Sequence, residues 1–356
     1  MRAIALTYVG LESVVLLDLK DILGVVGSLH SPGRVIYDAS VENIARFTYM
    51  CRSISGSYLL LGSCAPTLSS LSPAVMSLDI PFFPAPFRVR CLHTSDLSFS
   101  SLDVEKLLGE LLGTRYRCSV SLSDPTIIFL VDVDSHFCLF GIDFAGVPLQ
   151  KREWRVKTLS SSFNACLAYG ALRLSGYSGS GSLLDPFVGD GCVLIEAHLY
   201  ALGAPSALRF EKDLACTRLV TLPSSRTRKA TPGSFLGFDP QLGHVRAAQI
   251  NAKLAGVSLD LGRCPAGDLD LKLPDRSIDF VVTRPVVHKA FLSSSDVSKM
   301  YASLFFSLAR VVKTSGSVCL LVNNPTSVVT TLFVLVRSCT VVVGQMTYTL
   351  LFLRKA

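Results

Sequence analysis

The stretch LLDPFVGDGCVLIEA, residues 183–197, has the residue types that hold a nucleoside ligand at the end of a strand. A buried strand is expected to stop at Asp185, the chain to turn on Gly189 and Gly191, and a helix to open into VLIEA. Ligands of doubly wound sheets bind beyond the carboxyl ends of the strands, where glycines admit close backbone approach and a helix start offers free N–H groups. A GxG after a strand is a weak signal alone, and two acids further on strengthen it. Asp239, in GFDP, falls at the end of the next expected strand, where a carboxylate accepts from ribose hydroxyls. Asp268, in AGDLDLKLPD, falls where an acceptor for an exocyclic adenine amine belongs.

These acids need a sheet that ends its strands at one rim. From residue 158 helical and strand-like runs alternate: SSFNACLAYGALRLS, SLLDP, CVLIEAHLYALG, SFLGFD, QLGHVRAAQINAKLAG, SIDFVVTRP, DVSKMYASLFFSLARVV and SVCLLVN. Alternation at this length predicts a mostly parallel sheet with helices on both faces. The last runs, TVVVGQMTY and TLLFLRK, predict an antiparallel edge hairpin. The apolar run VVTTLFVLVRSCTVVV is broken by Arg337 and reads as buried strands and a packed helix, not as a membrane span. Upstream, residues 1–83 alternate short β and α runs, and IPFFPAPF, with three prolines in eight residues, marks a joint. Residues 84–150 give strand, helix and further strands, an α+β pattern.

DPFVGDGCVLIEA, GFDPQLGHVRAAQINAKLAGV and AGDLDLKLPDRSIDFVVT resemble motifs of S-adenosylmethionine-dependent RNA methyltransferases with a THUMP domain, in the branch acting on guanine N2 of tRNA. FRVRCLHTSDLSFSSLDVEKLLGELL, SLSDPTIIFLVDV and LFGIDFAGVPLQKREWRV are similar to that family's THUMP module and its basic linker. MRAIALTYVGLESVVLLDLKDILG is similar to its N-terminal ferredoxin-like piece. The resemblance implies an α/β chain: a ferredoxin-like domain at 1–83, a THUMP RNA-binding module at 84–150, and a seven-stranded Rossmann-like methyltransferase domain at 151–356. It implies S-adenosylmethionine as cofactor, with Asp185, Phe187, Gly189 and Gly191 lining its methionine side, Asp239 and Pro240 at the ribose, and Asp268 with Leu269 at the adenine. The family usually has Ser or Thr between and after the glycines; this chain has Asp190 and Cys192, and an added carboxylate beside the cofactor's own is expected to weaken binding.

A second departure concerns the chemistry. Relatives end the fourth strand with Asn-Pro-Pro-Tyr or Asp-Leu-Pro-Phe, because an exocyclic amine must be held by acceptors while it attacks in line, and an aromatic ring must stack on the extruded base. Here DFVVTRPVVHK places Arg284, Pro285, Val286, Val287 and His288 there. Arginine has five donors and no acceptor, and valine has no ring face. Three readings stay open: lost catalysis with RNA binding retained; catalysis through backbone carbonyls, with Arg284 on an RNA phosphate and His288 or another ring in the stack; or a structural loop with the site elsewhere. Arg284 and Pro285 are the candidate catalytic positions. Guanine-N2 methylation of tRNA is the expected activity, and a catalytically inactive RNA-binding or assembly protein is the alternative.

Composition limits the rest. Of 356 residues 49% are hydrophobic and 17% charged, which suits folded multi-domain chains and excludes disorder. The net charge of +7 comes from the part beyond residue 158, which suits a polyanion such as tRNA or other structured RNA. Candidate phosphate contacts are Arg88, Arg90, Arg115 and Arg117; Lys151, Arg152, Arg155 and Lys157 in the linker; and Arg226, Arg228 and Lys229. Trp154, the only tryptophan, reads as an interdomain anchor. Eleven scattered cysteines without CxxC spacing predict reduced thiols, no structural metal and a cytoplasmic protein, and the first twenty residues read as strand and helix, not as a secretory signal.

Overall fold

The structure is a computed structural model that describes the chain except for residues 94–96, 208–210, 223–232 and 286–292. It divides into two compact units. One contains Met1–Thr7, Val15–Leu149 and Ser206–Ser224; the other contains Tyr8–Val14, Gln150–Pro205 and Ser225–Ala356.

The first unit runs through β1 (Arg2–Leu6), α1 (Glu12–Leu23, which enters this unit at Val15), β2 (Ser28–Ser31), β3 (Arg34–Asp38), α2 (Val41–Met50), β4 (Gly56–Cys64), α3 (Leu68–Ser77), β5 (Phe87–His93), α4 (Ser101–Tyr116), β6 (Ile127–Val133) and β7 (Cys138–Asp143). Its strands form one seven-stranded sheet in the order β2-β3-β1-β4-β7-β6-β5. The expected divide at residue 83 therefore falls inside a continuous sheet. Strand β4, from the earlier segment, pairs antiparallel with β7, from the later one, with Tyr58 opposite Asp143 and Leu59 opposite Ile142. Joining two small sheets edge to edge satisfies backbone groups that each would otherwise leave open. One core lies behind it, with Ala3, Val35, Phe47, Leu71, Leu108 and Phe140 fully buried.

The second unit runs through α5 (Ala165–Leu174), β8 (Leu183–Asp185), α6 (Cys192–Ala201), β9 (Phe235–Asp239), α7 (Leu242–Ala255), β10 (Asp260–Arg263), β11 (Ile278–Thr283), α8 (Ser294–Val311), β12 (Val312–Val322), β13 (Phe333–Val343) and β14 (Met346–Lys355). Its sheet has the order β10-β9-β8-β11-β12-β14-β13. Strands β10 to β12 are parallel, and β14 and β13 close the sheet as the expected antiparallel hairpin. After β8 the chain builds outward through β9 and β10, then returns to place β11 on the other side of β8. That reversal opens a crevice at the carboxyl ends of β8 and β11.

Alternating side chains serve opposite faces. Leu183, Cys319 and Leu321 join one core with α5, α6 and α7, whereas Leu184, Val318 and Leu320 join another with α8. The run VVTTLFVLVRSCTVVV departs from expectation. It contains strand β13 and no helix, and Val334, Leu335 and Val336 are exposed. Its β-branched residues favour the pleated strand, and β14 supplies pairing along its length.

Residues 8–14 belong to this second unit, an assignment not visible in the sequence. Leu11 and Val14 are fully buried in its core, and Val9 bridges to Val342. Gly10 makes this possible: its φ is +97°, and a Cβ there would lie 2.0 Å from the carbonyl oxygen of Thr340. Gly10→Ala combines a disfavoured backbone with a backbone clash, so a loss of about 1–3 kcal/mol is expected. Thermal unfolding followed by the fluorescence of Trp154, which is buried in this core, measures it.

Candidate active site

Strand β8 ends at Asp185, which is 2% exposed. Its Oδ1 accepts from the Thr283 hydroxyl at 2.6 Å and from the Phe187 N–H at 3.2 Å. The first bond ties the end of β8 to the end of β11 across the crevice. Burial pushes the Asp185 carboxyl up to about 7, against the opposing pull of the Thr283 bond. Thr283 was not singled out from sequence, because nothing local marks a hydroxyl as partner to a carboxylate nearly a hundred residues away.

The glycine loop follows. Gly189 has φ +52° and Gly191 φ +84°; a Cβ on Gly191 would sit 3.1 Å from the Ala248 Cβ on α7. Glycine at 191 thus supplies both a left-handed turn and close helix packing. The loop reaches β9 through two bonds: Val188 N–H to the Phe238 carbonyl at 2.9 Å, and Gly189 N–H to Asp239 Oδ2 at 3.3 Å. Asp239 Oδ1 also accepts from Gln241 N–H at 2.9 Å and lies 3.1 Å from His244 Nδ1. Phe187, Gly189, Asp190, Asp239, Pro240, Gln241, His244 and Arg284, with Ser161 to Phe163, line a cleft of about 100 Å³.

Asp190 is held on every side. Arg155 pairs with its Oδ2 at 2.7–2.8 Å, Ser162 donates to the same oxygen, and Cys192 N–H donates to Oδ1. Its backbone oxygen accepts from Asn251 on α7. The added carboxylate is thus matched by a guanidinium, which removes the reason for expecting weakened cofactor binding.

Arg284 follows β11 and lines the cleft. It donates to the Ser161 carbonyl, and its guanidinium lies 5.8 Å from the Phe163 ring centre and 5.4 Å from that of Tyr348. Burial draws its pKa below the usual arginine value. Arginine nevertheless stays charged, and among the described residues no carboxylate pairs with it. Pro285 is buried; Val286, Val287 and His288 lie outside the described residues.

Other expected site residues fall elsewhere. Asp185 and Gly191 lie behind the cleft wall. Asp268 is exposed and Leu269 is fully buried among Tyr301, Leu304 and Phe305, so neither lines the cleft. Strand β10 stops at Arg263, and the chain then turns so that Leu269 packs under α8 instead of the acid projecting over the rim. Of the proposed RNA contacts, Lys151 and Lys157 are exposed. Arg152 is not available to a phosphate: its side chain is fully buried with Glu196, at 2.8 Å. Arg155 is likewise engaged with Asp190. Arg88 and Arg90 are half-buried on β5, Arg90 lying 3.3 Å from Asp143. Arg115 bonds the carbonyls of Val75 and Leu78, while Arg117, at the end of α4, is exposed. Arg226, Arg228 and Lys229 lie outside the described residues. Trp154 is buried in the second unit's own core. No group of three or more potential metal ligands occurs among the described residues.

With this geometry in view, comparison with known proteins is informative. Residues 152–339, more than half of the chain, match the model of the UPF0020 family, the RMKL-like methyltransferase domain. A tRNA (guanine(6)-N2)-methyltransferase of Archaeoglobus fulgidus is 26% identical over 235 residues, 64% of this chain and 59% of that protein. One of Methanocaldococcus jannaschii is 24% identical over 331 residues, 86% of each chain. The solved structure of SMU.472, a putative methyltransferase complexed with SAH, superposes with a TM-score of 0.82 at 18% identity, covering 100% of this chain and 98% of that one.

Two outcomes follow. Asp185 holds its proton more tightly folded than unfolded, where it titrates near its ordinary 3.8, so its contribution to stability is full below pH 4 and is lost as pH rises through about 7. Urea unfolding at several pH values will show wild type losing stability on the order of 4 kcal/mol over that window, relative to Asp185→Asn. Glu196→Ala strands a buried guanidinium and is expected to cost about 3–5 kcal/mol, whereas Arg152→Met with Glu196→Leu recovers most of it in the same assay.

Proposed function

The chain belongs to the RMKL-like methyltransferase family, and on that premise we propose that it transfers a methyl group from S-adenosylmethionine to RNA, with the exocyclic N2 of a tRNA guanine as acceptor. The observation that carries this reading is the cleft at the switch point of the second unit's sheet, where Asp239 meets the glycine loop. The lining of the cleft suits an adenosyl group. A Cβ at Gly189 would find no atom nearer than 3.8 Å, so the loop leaves the floor open. Asp239 Oδ2 accepts one long bond from Gly189 and keeps lone-pair capacity for a ribose hydroxyl.

S-adenosylmethionine supplies an electrophilic methyl group on a sulfonium centre. The residues of this chain do the rest. Asp239 and the Gly189 backbone hold the nucleoside, Phe187 and Pro240 wall it, and the bond between Asp185 and Thr283 fixes β8 against β11 behind it. With the cofactor bound, its methyl group would pass to the amine nitrogen, the thioether would be left behind, and the amine's proton would pass to water. Arg284 has no acceptor for that amine, so backbone carbonyl oxygens serve instead. Arg88, Arg90, Lys151 and Lys157 are our candidates for phosphate contact, with the THUMP-like segment gripping the tRNA. The archaeal relatives, named for this reaction on tRNA, support the choice of substrate.

Incubation of the protein with tritiated S-adenosylmethionine and unmodified tRNA is expected to put label into N2-methylguanine on nuclease digestion. Cofactor binding without transfer to any tRNA would overturn the catalytic reading and leave an RNA-binding or assembly role.

A further inference from the structure

Arg284 is a charged guanidinium taken partly out of water, and among the described residues it has no counter-ion. Among the described residues it bonds one carbonyl, that of Ser161, and rests against the rings of Phe163 and Tyr348. The imidazole lining the cleft, that of His244, faces Asp239, and Arg155 behind it is consumed by Asp190. Leaving a desolvated cation unpaired is costly, and the cost is relieved when an anion enters beside it. Most of the fork's five donors remain for such an anion.

The strand order selects the anion. A nucleoside held at Asp239 starts at the end of β9; β8 and then β11 lie next along the sheet, and adjacent strands are about 4.8 Å apart. A ligand following the crevice therefore reaches the end of β11 after about 10 Å. The amino-acid tail of an adenosyl cofactor extends from its ribose in that manner and ends in a carboxylate. The floor beneath that path is neutralised, since Asp190 is paired with Arg155.

We propose that Arg284 is a cofactor-binding residue, its guanidinium holding the carboxylate at the amino-acid end of the adenosyl ligand. The position where the resemblance implies an amine-holding Asn or Asp is thereby turned over to the methyl donor. This rests on the functional reading above, and the test separates the two. S-adenosylhomocysteine carries the carboxylate; 5′-methylthioadenosine has the nucleoside and sulfur without the amino-acid end. By calorimetry on the full chain, R284Q is expected to weaken S-adenosylhomocysteine about 10- to 100-fold and to leave methylthioadenosine unchanged. R284K, a point charge without the fork, falls between. Equal loss of both ligands in R284Q and R284K, or no loss of either, overturns the proposal. Unchanged S-adenosylhomocysteine affinity with weakened tRNA binding overturns it too, and assigns the guanidinium to an RNA phosphate. Wild-type protein that binds neither nucleoside ligand defeats the functional reading itself.

Discussion

Asp190 is where four segments of the second unit are tied together, three at its carboxylate and one at its backbone oxygen. Arg155 comes from the linker, Ser162 from the loop before α5, Cys192 from the start of α6 and Asn251 from the middle of α7. Because Asp190 lies between Gly189 and Gly191, these bonds fix the glycine loop that lines the cleft. Charge-assisted bonds to a carboxylate that is 4% exposed are stronger and more directional than neutral ones, so the loop keeps one shape.

That pairing also explains how the chain tolerates its departures from the resemblance. A carboxylate in place of the usual hydroxyl would repel an anionic ligand if it stood alone, but Arg155 cancels it locally. At Arg284, where the resemblance implies an acceptor, a donor stands instead, and among the described residues no carboxylate offsets its charge.

How much of this was readable depends on the range of the interaction. The glycine loop, Asp239 and the parallel sheet follow from local signals: a change of hydrophobic period, glycines at fixed offsets and a strand of five residues. Asp185 with Thr283, Arg152 with Glu196 and Arg155 with Asp190 join residues far apart in sequence, and composition gives no hint of which charges meet. This is why Arg152 and Arg155 resembled RNA contacts in a basic linker. Asp268 misled for another reason: its place depended on where β10 stops, and strand ends are set by pairing, not by propensity. The joint at residue 83 carried proline signals but not the pairing of β4 with β7 that runs past it.

The proposed chemistry depends on one rim of one sheet receiving an adenosyl group. Calorimetric titration of the protein with S-adenosylhomocysteine, beside Asp239→Ala, tests it most directly. One site per chain in the wild type, weakened at least about 10-fold by the loss of the carboxylate, is the expected result. Absence of binding to the wild type, or equal affinity in both proteins, would contradict it.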